Sequence, residues 1–240
     1  MIRAFSQAFE ASCRTHAAKL AMLDPTGAPV SFANLFFTVI AFAEALQDHG
    51  VVAGDLVSVE VADPIAGAAL KLALVRIGAT AIGPIPSNRS AEFTINWHLV
   101  TPDAGPVRPD RITVDRSWIR SPRRAIPITE GGGMVRSTSG TTGTPKLRRI
   151  SDAALLARAL RGQEVRGAPD GPVFIGYAPG SSPFFNYLAR AILSGSLQLH
   201  AQSDDAANLR AMDAAGATTA FLSPWNFRRL LDEVEAGTDP

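Results

Sequence analysis

The sequence predicts an α/β protein of mostly parallel sheets with flanking helices. Three observations carry that expectation. Short apolar, often β-branched runs alternate with segments whose apolar residues recur near a 3.6-residue period. Start and stop residues such as Gly50, Pro64 and Gly78 punctuate the helical segments. Alternating strand and helix signals build βαβ units, whose right-handed crossovers lay successive strands parallel.

Residues 2–18 predict an amphipathic first helix, and residues 28–32 a short strand. Phe36, Val39, Ile40, Ala43 and Leu46 set the period of a helix over 34–49, and Gly50 stops it. A buried strand follows over 56–61, a helix over 64–77 and a strand over 79–82. These first βα units fill about residues 1–83.

Residues 84–133 are rich in Pro, Arg, Asp and Gly and read as an irregular connection. They carry only a helix signal near 91–99 and a strand near 111–114. From residue 134 to 240 the rhythm resumes. Strands are expected over 134–137, 173–177, 197–200 and 218–222, and helices over 152–161, 184–193, 206–214 and 225–235.

Between the strand at 134–137 and the helix at 152 runs Thr138-Ser139-Gly140-Thr141-Thr142-Gly143-Thr144-Pro145-Lys146. Gly140 and Gly143 let the backbone approach an anion, the hydroxyls of Ser139, Thr141, Thr142 and Thr144 add donors and Lys146 adds a positive charge. Pro145 stiffens the approach to Lys146, and Leu147, Arg148 and Arg149 read as a basic helical stretch. The spacing is not that of a P-loop nucleotide triphosphatase. Two residues separate Gly143 from Lys146, and Leu147 stands where a magnesium-binding hydroxyl belongs. The loop hangs from a strand's carboxyl end, where ligands of open α/β sheets gather.

The stretch from Thr138 to Lys146 resembles the signature loop of the AMP-forming synthetase and ligase superfamily, which reads roughly Thr-Ser-Gly-Thr-Thr-Gly-x-Pro-Lys. That group comprises acyl-CoA synthetases, peptide-synthetase adenylation domains and luciferases. Residues 30–50 and 217–231 resemble it more diffusely. After Lys146 the chain departs from the pattern: members usually carry Gly next and a Ser/Thr-His pair further on, against Leu147 and Ser151-Asp152 here.

The resemblance implies the first part of the large N-terminal domain of an adenylate-forming enzyme. Thr138, Ser139, Gly140, Thr141, Thr142, Gly143, Thr144 and Lys146 would bind the ATP phosphates, with Lys146 acting in catalysis. A carboxylic acid would attack the α phosphorus to give acyl-AMP and pyrophosphate, with transfer to coenzyme A or a carrier following. By position, Phe184 and Phe185 are the weaker candidates for acid contacts, although no histidine stands among Gly180, Ser181 and Ser182. The family's adenine segment, its Thr-Glu with the magnesium ligand, its ribose-binding Asp, and its hinge and C-terminal lid domain with a second lysine are not found before Pro240. ATP and Mg2+ are therefore implied cofactors whose site this chain fills only in part. The expected partners are ATP, a carboxylic acid, and a completing protein chain or a homo-oligomer. The alternative is a non-catalytic nucleotide- or acyl-binding remnant, or an interaction protein.

Composition narrows the remaining classes. With 23 basic against 22 acidic residues, the net charge of +1 gives no general surface for nucleic acid or an anionic membrane. The cluster Arg116, Arg120, Arg123 and Arg124 reads as a solvated loop or as a salt-bridging surface for a neighbouring chain. The longest apolar runs fall short of a membrane span. Cys13 is the only cysteine, so no intrachain disulfide forms and a cytoplasmic, reducing location is expected. His16, His49, His98 and His200 lack metal or triad spacing, and no Gly-x-Ser-x-Gly elbow marks a serine hydrolase. An unfinished sheet near residue 240 would expose Phe221, Trp225, Phe227 and Leu231.

Overall fold

The computed structural model describes residues 2–23, 27–61, 63–83, 94–102, 108–138, 146–178 and 181–237. Among them are seven α-helices: α1 (Phe5–Thr15), α2 (Phe32–Asp48), α3 (Pro64–Arg76), α4 (Asp152–Arg166), α5 (Ser182–Ser194), α6 (Asp205–Ala214) and α7 (Pro224–Glu235). The strands are β1 (Leu20–Leu23), β2 (Pro29–Ser31), β3 (Leu56–Glu60), β4 (Thr80–Ile82), β5 (Trp97–Val100), β6 (Arg111–Thr113), β7 (Gly133–Thr138), β8 (Lys146–Ser151), β9 (Val173–Ile175), β10 (Gln198–His200) and β11 (Thr219–Phe221). They form a five-stranded sheet in the order β11-β9-β10-β1-β2 and a six-stranded sheet in the order β6-β5-β3-β4-β7-β8. Both are mostly parallel. The antiparallel pairs are β1–β2 and β7–β8.

Helix starts follow from short polar side chains placed to accept the first free amides. Ser31 accepts from Asn34 N, Asp63 from Ile65 N and Ala66 N, Ser151 from Ala154 N and Ser223 from Asn226 N. The core joins α1, α2, α3 and α5 to the sheets through the fully buried Phe5, Phe32, Phe42, Leu70, Leu99 and Phe184. Truncating such a phenylalanine to alanine costs about 3–5 kcal/mol. A smaller cluster of Phe174, Leu199 and Leu230 lies under α6 and α7. No helix among the described residues is long and apolar enough to cross a membrane.

Several expectations are corrected. β1 is a strand that the periodicity does not mark. The expected helix near 91–99 gives way to β5 from Trp97; residues 91–93 lie outside the described residues. β5 pairs with both β3 and β6, so two ladders and the buried Leu99 and Val100 override a local helical preference. Residues 147–149 are likewise strand, not helix: they ladder with β7, and the Ser151 cap delays the helix until Asp152. The arginines around 116–124 are solvent-exposed, as a solvated loop requires, but Arg120, Arg123 and Arg124 are also paired with α2 of the same chain. Arg123 bonds the buried Glu44 through its backbone N and Nε, and its Nη2 lies 2.5 Å from Asp48, which also takes Arg124 at 3.0 Å.

Of the apolar surface expected near residue 240, Trp225, Phe227 and Leu231 are exposed on α7, joined by Val234. Phe221 differs. It is half-buried, stacked on Tyr187 at 4.0 Å with the Arg190 guanidinium over its ring.

Candidate phosphate-binding hairpin

The loop singled out in the sequence connects β7 to β8, so it caps an antiparallel hairpin on an otherwise parallel sheet. The ladder runs from the pair Gly133–Ser151 through Arg136–Arg148 to Thr138–Lys146. Of the predicted site residues, Thr138 and Lys146 thus form the last backbone rung below the loop. Ser139, Gly140, Thr141, Thr142, Gly143 and Thr144 lie outside the described residues. β7 runs parallel to β4, which puts this last rung at the carboxyl end of the parallel strands.

Backbone fit fixes where the hairpin starts. A Cβ on Gly132 would collide with the Val75 carbonyl at the end of α3, and one on Gly133 would lie 2.5 Å from the Ile150 carbonyl oxygen. Only glycine allows β7 to pass between these backbones. Arg149 braces the same region, bonding Thr80 Oγ1 at 2.9 Å and the Gly131 carbonyl. Asp152, which stands where the superfamily pattern carries histidine, ties the start of α4 to α1. Its carboxylate accepts from Ser6 N at 2.9 Å and from Ser6 Oγ. Burial raises the Asp152 pKa, against the opposing pull of the Ser6 hydrogen bonds.

Beside the hairpin opens a cleft of about 640 Å3. Arg136 and Arg148, paired across the strands, line it with Arg158 of α4 and Asn186 of α5. Arg136 Nη1 donates to Asn186 Oδ1 at 3.1 Å. Burial, and then the nearby Arg158 charge, lower the Arg136 pKa. Sequence reasoning singled out Arg148 and Arg149 only as a basic stretch. The signal for the rest was an arginine on each of three consecutive elements.

Phe184 and Phe185, the weaker candidates for acid contacts, are both buried on α5. Phe185 stands edge-on to Phe5 at 5.7 Å, and Phe184 lies against the His200 ring at 5.3 Å. Both His200 ring nitrogens are buried without a hydrogen-bond partner among the described residues, as is the amide of Gln198 two residues earlier on β10. Burial pushes the His200 pKa down to about 4. Cys13 is packed, its thiol pushed up to about 12 by burial and by the charge of Glu10. No cluster of three or more His, Cys, Asp or Glu able to hold a metal occurs among the described residues.

This architecture matches solved N-terminal domains of adenylate-forming enzymes. The chain is similar to the N-terminal subdomain of NpsA from Klebsiella oxytoca, solved with 3-hydroxybenzoyl-AMSN: 21% identity, TM-score 0.79, covering 99% of this chain and 64% of that one. It is similar to the inhibitor-bound N-terminal domain of FACL13 from Mycobacterium tuberculosis: 15% identity, TM-score 0.83, covering 95% and 65%. A third likeness is to o-succinylbenzoate CoA synthetase from Bacillus subtilis, solved with its acyl-adenylate intermediate: 16% identity, TM-score 0.81, covering 94% and 64%. The chain therefore spans slightly less than two thirds of the length of these three solved chains, and at these identities the likeness establishes the fold. No family model matches the chain. No curated protein matches it in sequence.

Proposed function

We propose that this chain is the N-terminal part of an adenylate-forming ligase, which grips the ATP phosphates while a carboxylic acid is activated as acyl-AMP. The observation that carries the reading is the continuous motif from Thr138 to Lys146, joining β7 to β8 at the carboxyl end of the sheet. Two solved structures of one protein of this fold, o-succinylbenzoate CoA synthetase, support it, one with its acyl-adenylate and the other with AMP bound.

In this reading the amides around Gly140 to Gly143 supply fixed dipoles to the β and γ phosphates. Ser139, Thr141, Thr142 and Thr144 add adjustable hydrogen bonds, and Lys146 follows the leaving pyrophosphate with its charge. An in-line displacement at phosphorus needs positioning and charge neutralisation more than covalent help, and these groups are of that kind. Magnesium, implied by the resemblance, would neutralise phosphate charge when bound. The role assigned to this chain is the phosphate grip. A completing protein chain or a second copy, together with coenzyme A or a carrier as acceptor, belongs to the same proposal. The exposed Trp225, Phe227, Leu231 and Val234 support a partner on α7.

Calorimetric titration of ATP and of AMP into the chain tests the reading. ATP should bind at least about tenfold more tightly than AMP, because one or more charge-assisted phosphate contacts are each worth about 1.5–3 kcal/mol. Equal affinities would remove the phosphate grip.

A further inference from the structure

The cleft beside the hairpin gathers positive charge. Arg136, Arg148 and Arg158 line it, and no aspartate or glutamate among the described residues does. The contrast with the arginines around 116–124 is direct. There, Glu44 and Asp48 of α2 take up the guanidinium groups. Here, Arg148 and Arg158 make no ion pair among the described residues, and the charge of Arg158 bears on the half-buried Arg136. The whole chain carries a net charge of only +1, so the accumulation is local.

Like charges brought together oppose folding unless an anion relieves them. The geometry supplies the means to hold one. Rung pairing sets the Arg136 and Arg148 backbones side by side, and Arg158 reaches the cleft from the second turn of α4. Guanidinium forks match phosphoryl oxygens bidentately. Asn186 accepts from Arg136, which leaves its amide NH2 group as a further donor. Ile150 and Ala154 add an apolar floor. A volume of about 640 Å3 suits an organic molecule better than a lone inorganic ion. Arg149 is engaged elsewhere, on Thr80 and Gly131.

We propose that this cleft binds an organic phosphate, its phosphoryl oxygens held by Arg136, Arg148 and Arg158 and its body against Ile150 and Ala154. The ladder puts Arg136 and Arg148 two residues, or about 7 Å of strand, from the last rung below the loop. The phosphoryl group therefore has two sources: the polyphosphate of a nucleotide held by the loop, or a separate phosphorylated ligand. The inference does not depend on ATP binding by the loop.

The test is calorimetric titration of pyrophosphate, in low-salt chloride buffer, into the native chain and three variants. Arg148→Ala/Arg158→Ala should weaken binding at least tenfold. Arg148→Lys/Arg158→Lys, which keeps the charge and loses the fork, should weaken it severalfold and decides the matter if the alanine pair fails to fold. An affinity within twofold of native in the folded variants overturns the proposal. Lys146→Ala separates the two sites: a loss confined to that variant refutes the cleft and leaves the hairpin reading intact. Repeating the titration with a saturating non-hydrolysable ATP analogue identifies the source. Competition assigns the cleft to the nucleotide's polyphosphate and simultaneous binding to a separate ligand, each outcome supporting the cleft when arginine dependence holds.

Discussion

Acidification should destabilise this protein through His200, and the size of the effect follows from its surroundings. The side chain packs against Phe184, and both ring nitrogens are buried and unpartnered among the described residues. The residue as a whole is half-buried, so the ring tip is the desolvated part. Burial lowers its pKa from 6.5 to about 4. Between those values the unfolded chain binds a proton that the folded chain does not, so stability falls as pH drops through this window. At pH 7 the folded imidazole is neutral and about a quarter of the unfolded one is protonated, which costs only about 0.2 kcal/mol. At pH 5 the unfolded imidazole is mostly protonated and the folded one mostly is not, which removes about 2 kcal/mol of stability. Urea unfolding of the native chain and of His200→Leu at both pH values measures it. The native chain should lose about 2 kcal/mol more than the variant between pH 7 and pH 5. Ionisable groups common to both proteins cancel in that difference. Equal losses would show that His200 carries a partner or solvent in the folded state, contrary to the reasoning.

Three further outcomes follow from the packing. Gly132→Ala should destabilise by about 1–3 kcal/mol in denaturant titration, because the new methyl group meets the Val75 backbone, which cannot rotate away. Arg123→Ala should cost about 1–2 kcal/mol by leaving the buried Glu44 short of a partner, whereas Arg124→Ala, which removes an exposed pair with Asp48, should cost less than about 1 kcal/mol. Cys13, with its thiol pushed up to about 12, should resist thiol reagents at pH 7 until the chain is unfolded in denaturant. Prompt native-state labelling would contradict its burial.

The parts of this fold legible in the sequence are those where local and global preferences agree. Asn34 to Leu46 shows a helical period, and Gly78 marks the end of α3. Ser151 marks the start of α4 and accepts the amide that the capping argument requires. The illegible parts are made by long-range pairing. β5 exists because β3 and β6 flank it, and Leu147 to Arg149 are extended because β7 offers them a ladder. The site divides along the same line. Thr138 to Lys146 is one contiguous motif, so its chemistry is readable directly. The cleft arginines come from β7, β8 and α4, and Asn186 from α5, so only the tertiary fold shows that they meet. Asp152 is a related case. As sequence it is a departure from a family pattern, while in the structure it is the anchor that holds α4 to Ser6.

The most direct test of the phosphate grip is ATP titration into the native chain and Lys146→Ala by calorimetry, with folding of both checked by circular dichroism. A charged contact to phosphate is worth about 1.5–3 kcal/mol, so the variant should bind roughly 10- to 150-fold more weakly. An unchanged affinity would show that Lys146 does not touch the phosphates and would contradict the account.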